Sequence, residues 1–269
     1  MRILSPILLS AIAAAAIAGA GCAHDPAAPE IAERHALAPG GKLRVAVYPG
    51  TPTSLVSDAA GSDMRGVGHD LGKALAARLG VAFEFTVYPK NADALDAVKS
   101  GRADFGFTNA TASRAKDMNF GPPLFAVEQG YLVPAGSPIA KFDDVDRNGV
   151  RVAVTQGSTS ESVLSRELRH ATVVKAPSIA AARQMLTAHQ ADAYATNKAI
   201  LFEMSDALPG SHVLDGRWGL ENFAIAVPKG REAGMPFLRR FSEEAVADGT
   251  VMRAVERAGL RGTVAAASR

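Results

Sequence analysis

Cysteine is almost absent. Cys22 is the only one in 269 residues, so no intramolecular disulfide can form and the fold must rest on its hydrophobic core. An excess of one charge is missing too: 29 Lys and Arg stand against 27 Asp and Glu, a formal net charge of +2. The signs are interspersed and no basic block or aromatic-basic alternation occurs, so a nucleic-acid partner has no support. His24, His35, His69, His170, His189 and His212 lack ligand spacing, and without a cysteine cluster neither a metal nor another cofactor is expected. The G-x-S-x-G elbow of serine hydrolases is absent. Gly66-x-Gly68-x-x-x-Gly72 has part of a dinucleotide fingerprint, but SDAAGSDM ahead of it reads as loop, whereas that fingerprint needs a strand there.

What is present begins with MRILSPILLSAIAAAAIAGAGCAHD. An arginine, an apolar run from Ile3 to Ala20 and small residues after it make residues 1–22 an export signal rather than a spanning helix. Cys22 resembles the lipid-modified cysteine of bacterial lipoproteins, which would leave a lipid anchor as the only membrane contact. Ala18-Gly19-Ala20 would equally suit ordinary signal cleavage. Residues 23–41, rich in Ala and Pro, read as a flexible tether with at most a short helix. About 220 residues remain for the folded part, enough for one large domain or two lobes.

Two partial repeats favour two lobes. RVAVYPGTPTS (44–54) and RVAVTQGSTSE (151–161) share an arginine, a β-branched apolar strand, a glycine and hydroxyls; ADFGFTN (103–109) matches ADAYATN (191–197). Each member of the second pair follows a helix end and a tight turn. KLRVAVY and VAFEFTVY read as strands, HDLGKALAARLG and NADALDAVKSG as helices, and the alternation implies a largely parallel α/β sheet. GYLVPAGSP (130–138) and FAIAVPKGR (223–231), apolar runs stopped by proline, read as two crossings between lobes. Lobe 1 is then 42–133 with 227–262, and lobe 2 is 134–226. The tail from Met235 reads as one or two amphipathic helices returned to lobe 1.

Ligands of open parallel sheets gather at the carboxyl ends of strands, where both repeats place polar loops. Thr51-Pro52 has a helix-start signature and Ser158-x-x-Glu161 the capping-box spacing. Free N–H groups at such ends attract anions, although caps also occur where nothing binds. Asn109 and Asn197 recur at corresponding strand ends, as turn residues or as ligand contacts. Arg114 offers a planar fork suited to a carboxylate, or else forms a solvated turn near Asp117.

Taken in order, GVGHDLGKALAARLGV (66–81), SGRADFGFTNATASRAKDMNFGPPL (100–124), VAVTQGSTSE (152–161) and NFAIAVPKG (222–230) resemble blocks of the extracellular solute-binding proteins of family 3. That group of ABC-importer receptors includes many polar amino-acid binders. The resemblance covers about 42–262 and implies a type II periplasmic-binding-protein fold, two α/β lobes joined by two crossover segments with the ligand cleft between them. It places Arg114 on the family's carboxylate-binding arginine, Asn109 on a ligand-facing loop, and Ser158-Thr159 at the helix N-terminus that holds the same carboxylate. The ammonium-binding aspartate falls on Asn197, and PGTPTS stands where an aromatic platform is usual. Both departures shift the expectation from a zwitterionic amino acid towards a small carboxylate or other polar anion. The resemblance implies a monomeric periplasmic receptor that binds a small solute by hinge closure, catalyses no reaction, and presents its closed form to a membrane permease. Thr108, Thr51 and Asn91 would set the solute's orientation. An enzyme of the cyclohexadienyl dehydratase type, with Glu161 as the available general acid, and a sensory ligand-binding module are the alternatives.

Overall fold

The computed structural model describes residues 29–57 and 63–265. Residues 1–22 with Cys22, the start of the expected tether and the tip of the loop after Ser57 lie outside them. Helices α1 (Ile31–Leu37), α2 (Val67–Leu79), α3 (Asn91–Lys99), α4 (Thr159–Glu167), α5 (Ile179–Thr187), α6 (Lys198–Asp206), α7 (Met235–Ala247) and α8 (Thr250–Ala258) alternate with strands. The strands are β1 (Lys42–Val47), β2 (Val56–Ser57), β3 (Met64–Arg65), β4 (Ala82–Val87), β5 (Gly106–Asn109), β6 (Met118–Phe120), β7 (Phe125–Val133), β8 (Arg151–Thr155), β9 (Thr172–Ala176), β10 (Ala193–Asn197), β11 (His212–Val213), β12 (Gly219–Pro228) and β13 (Thr263–Val264). No helix among the described residues is long and apolar enough to cross a membrane.

The strands fall into more than one sheet, and the largest is mixed rather than largely parallel. β1 pairs with β4 in parallel, and β10, β8 and β9 run parallel to one another. β12 and β7 run antiparallel to each other and to their outer neighbours β5 and β10, giving the order β5-β12-β7-β10-β8-β9. The reason lies in the crossings. The two runs expected to cross lie on the long strands β7, stopped ahead of Pro134, and β12, which ends at Pro228; largely ahead of those runs the strands pair Gly219–Phe223 against Gln129–Phe125. The chain passes out along one and returns along the other, which forces opposite directions. β13 adds to β7 at Ala126 and Val127, so the carboxyl-terminal segment also lies on this crossing.

Alternation along the strands of the second lobe buries both faces. Val152, Val154, Ala193 and Ala195 pack with Leu164 of α4 on one side. Ala153 and Tyr194 pack with Leu186 of α5 and Ile200, Leu201 and Met204 of α6 on the other. In the first lobe Leu71, Leu75 and Leu79 of α2 pack on Val45 and Val47 with Val251 and Val255 of α8, so the tail does return there. The GxGxxxG glycines serve this packing: a Cβ on Gly72 would lie 2.7 Å from Val45 Cγ2, and one on Gly66 would overlap the Ser54 carbonyl. A two-residue strand, β3, does precede them, but it is an arm of the β2–β3 hairpin and not of the parallel sheet. Within the expected tether, α1 is docked, with Leu37 in the core and buried Glu33 paired to Arg240.

The repeats emerge as twin clamps. Asp104 accepts from Arg44 N, Nε and Nη2, and that guanidinium also donates to Gly101 O. Asp192 accepts from the same three atoms of Arg151, whose guanidinium donates to His189 O. Gly101 has φ +73° and His189 φ +53°, so the same left-handed turn is made once with glycine and once without.

Candidate functional site

In the second lobe, α4, α5 and α6 each start at the carboxyl end of a strand with a side-chain cap. Ser158 accepts from Glu161 N, Ser178 from Ala181 N and Asn197 from Ile200 N, at 3.1, 3.1 and 3.2 Å. All three caps line a single cavity of about 350 Å³ between the lobes. Three helix N-termini therefore converge on it, each carrying unpaired N–H groups and positive dipole ends. Facing them from the first lobe are Tyr48, Pro49, Gly50, Asn91, Thr108, Asn109 and Arg114. Gly50, in a left-handed conformation (φ +93°), lets that loop approach Ile179 of α5. Asn109 Nδ2 donates to Thr159 Oγ1 across the cleft at 3.2 Å.

Arg114 opens a short 3-10 turn. It is not the solvated charge beside Asp117, which pairs instead with Lys99. Nη1 of Arg114 donates to Thr108 Oγ1 (2.8 Å) and Asn109 O (3.1 Å), which fixes one edge of the guanidinium. Its other donors have no ion-pair partner among the described residues. Burial pushes its pKa below the usual arginine value, and the nearby Glu221 carboxylate offsets part of that. A fixed, desolvated, unpaired guanidinium is a receptor for a planar anion.

The other expected contacts divide. Thr108, Asn109, Ser158, Thr159, Asn197 and Asn91 all line the cavity. Asn91 Oδ1 is buried without a hydrogen-bond partner among the described residues, which leaves an acceptor for a ligand donor. Thr51 does not line the cavity. It starts no helix either: it is wholly buried in a tight turn, with Oγ1 2.9 Å from Thr53 Oγ1. Glu161 is occupied by Gly157 N and Lys175. Those contacts hold its carboxyl below the usual range, Lys175 foremost, so it is poorly placed to donate a proton.

Several lining residues escaped the sequence reading, Ser178 and Phe223 among them, and two bear most on the chemistry. Tyr48, the last residue of RVAVY, supplies an aromatic at the end of β1, one position ahead of the PGTPTS stretch that was expected to lack one. Burial raises its phenol pKa, foremost, and Glu221 adds to this, so the ring stays neutral. The second is Glu221 itself, 7% exposed on β12, with Oε2 accepting from Asn197 Nδ2 at 2.8 Å. The period of two supplied a signal, since Glu221 lies two positions before Phe223 and both line the cavity. Behind this wall Tyr194 OH bonds Thr155 Oγ1 at 2.7 Å, and burial pushes its pKa up to about 12. No group of His, Cys, Asp and Glu among the described residues could hold a metal ion.

A family model described as bacterial extracellular solute-binding proteins, family 3, matches residues 43–259. The ABC transporter glutamine-binding protein of Bacillus subtilis (strain 168) is 31% identical over 123 residues, 46% of this chain and 45% of that protein. The match thus spans about half the length of the curated relatives. An ancestral arginine-binding protein solved with arginine is 30% identical at a TM-score of 0.71, covering 81% of this chain and 97% of the other. An ancestral amino acid-binding protein described as a precursor of cyclohexadienyl dehydratase is 28% identical at 0.69, covering 81% and 95%.

Proposed function

The chain belongs to the bacterial extracellular solute-binding proteins of family 3, with the two-lobed type II periplasmic-binding fold, and on that premise we propose that it is the solute receptor of an ABC importer. It captures a small polar or anionic solute bearing a carboxylate, an amino acid or an amino-acid-like acid, by closing its lobes about the β7–β12 crossing. The observation that carries this is Arg114, partly buried in the cleft, braced on one edge and unpaired on the other among the described residues. A carboxylate on the open edge would also face the start of α4 at Ser158 and Thr159. Thr108 and Asn109 hold the guanidinium in place, Asn109–Thr159 ties the two walls together, Asn197 borders the site on the α6 side, and Asn91 offers its free acceptor to the solute. Thr51 contributes only by bracing the turn beneath Gly50. A glutamine-binding relative and an arginine-bound neighbour support an amino acid as the solute.

In this reading lobe 1 comprises 42–133 with 227–262 and lobe 2 comprises 134–226. Residues 1–22 direct export, Cys22 carries the lipid if the protein is anchored, and the receptor works as a periplasmic monomer beside its permease, with no cofactor. Release of co-purified solute and its identification by mass spectrometry, followed by calorimetry of that compound, tests the reading. Arg114→Ala should weaken binding by about 2 to 4 kcal/mol, the scale for leaving a buried charge unpaired. Unchanged affinity in a folded variant would reject Arg114 as the anchor.

One observation favours a second reading, catalysis of the cyclohexadienyl dehydratase type. Such an enzyme needs a placed general acid. Glu161 is occupied, but Glu221 is a buried carboxyl on the cavity wall. Turnover of prephenate or arogenate by the purified protein would replace the receptor reading with this one.

A further inference from the structure

We propose, resting on the carboxylate-receptor reading above, that Glu221 on β12 holds a positively charged amine of the solute and selects amino acids over their amine-free analogues, with Asn197 as its positioning residue. At the strand end where an aspartate was expected, Asn197 brings no charge. Its Oδ1 is already engaged in capping Ile200 N, and its Nδ2 donates to Glu221 Oε2. The amide therefore turns its donor, not its acceptor, towards this wall. A charge can still come from a carboxylate supplied 24 residues later in the chain and delivered to the same place by β12.

Glu221 has no ion-pair partner among the described residues where it sits. It is buried, Asn197 is the only hydrogen-bond partner of its carboxylate among the described residues, and no cation of those residues lies within ion-pair distance. A carboxylate out of water with one neutral donor favours a cationic partner strongly. Arg114 borders the same cavity near enough to act on Glu221 through space but without forming an ion pair to it, so each keeps a face open to the solute. Lys90, Arg183 and Glu203 also border the cavity, and within it Arg114 and Glu221, a cation and an anion held apart from one another, complement a zwitterion that carries carboxylate and ammonium on one carbon. Pairing of β12 with both β7 and β5 around this point fixes the backbone that presents Glu221.

The test is a discrimination ratio. The twenty common L-amino acids are screened by calorimetry against the full chain, and the tightest is paired with its own 2-hydroxy acid, which keeps the carboxylate and side chain. The unmodified protein should favour the amino acid by about 100-fold. Glu221→Gln should collapse that preference to within about threefold, and adding Asn197→Asp to that variant should restore much of it by returning a carboxylate to the neighbouring position. A preference that survives Glu221→Gln, an equal loss of both ligands, or no preference in the unmodified protein would overturn the proposal. So would the absence of any amino-acid binding. The carboxylate reading stands or falls separately, on Arg114→Ala with the co-purified solute.

Discussion

Replacing Asp104 by Asn removes a carboxylate that is 1% exposed and accepts from Arg44 N, Nε and Nη2 and from Arg231 Nη2. The substitution preserves shape but leaves two guanidinium groups facing a neutral amide. Breaking a buried ion pair costs about 3 to 5 kcal/mol; with the Arg44 side chain 35% exposed, the lower end applies, about 3 kcal/mol. For a folded part of this size that lowers the melting temperature by roughly 6 to 12 °C. Asp192→Asn deletes the matching clamp, in which the aspartate side chain is 32% exposed and the Arg151 side chain 41%. Water already competes for those groups, so its shift should be clearly smaller. The Arg151 hydrogen bonds hold the Asp192 carboxyl below its usual range, with burial opposing. Its contribution is therefore present above the ordinary aspartate pKa and lost as pH falls through the lowered one, so Asp192→Asn should flatten the acid side of a stability profile. Thermal melts of both variants against pH check this. Equal shifts, or a larger one for Asp192, would refute the argument from burial.

Two more substitutions probe the backbone. His189→Gly should stabilise by about 0.5 to 1 kcal/mol in urea unfolding, because φ +53° strains an L-residue where the first repeat uses Gly101. Destabilisation would show that the His189 side chain matters more than its backbone. Gly72→Ala should cost about 1 to 3 kcal/mol despite alanine's better helix propensity, since the added Cβ would meet Val45 Cγ2 at 2.7 Å between α2 and β1. A rise in the denaturation midpoint would show that this contact yields.

Much of the framework was legible because it is local. A β-branched run such as RVAV and the helical spacing of Leu71, Leu75 and Leu79 announce their elements without help from the rest of the chain. Ser158 and Glu161 sit close enough to specify a capping box, and its Ser158 half forms, while the Glu161 carboxylate accepts from Gly157 N rather than Ser158 N. Thr51-Pro52 carries the same kind of signature and starts no helix, because Thr51 is drawn into a buried turn with Thr53, and the hairpin β2–β3 intervenes before α2 begins. Local grammar stated a preference there, and packing overrode it.

The sequence by itself determined two α/β lobes from two ordered repeats and the strand-end loops that face one another; Arg114 stayed open between a carboxylate contact and a solvated turn until the family resemblance favoured the first. These follow from short-range periodicity and from side-chain chemistry that depends little on context. Only the tertiary structure decided which charges share the cavity. Glu221 is 107 residues from Arg114 and 24 from Asn197 along the chain, and nothing between them encodes proximity. The antiparallel return of β12 beside β7 brings that carboxylate to the wall where Asn197 left none. Strand pairing joins residues by register rather than by distance along the chain, so Glu221, two positions ahead of the run read as a crossing, lines the cavity.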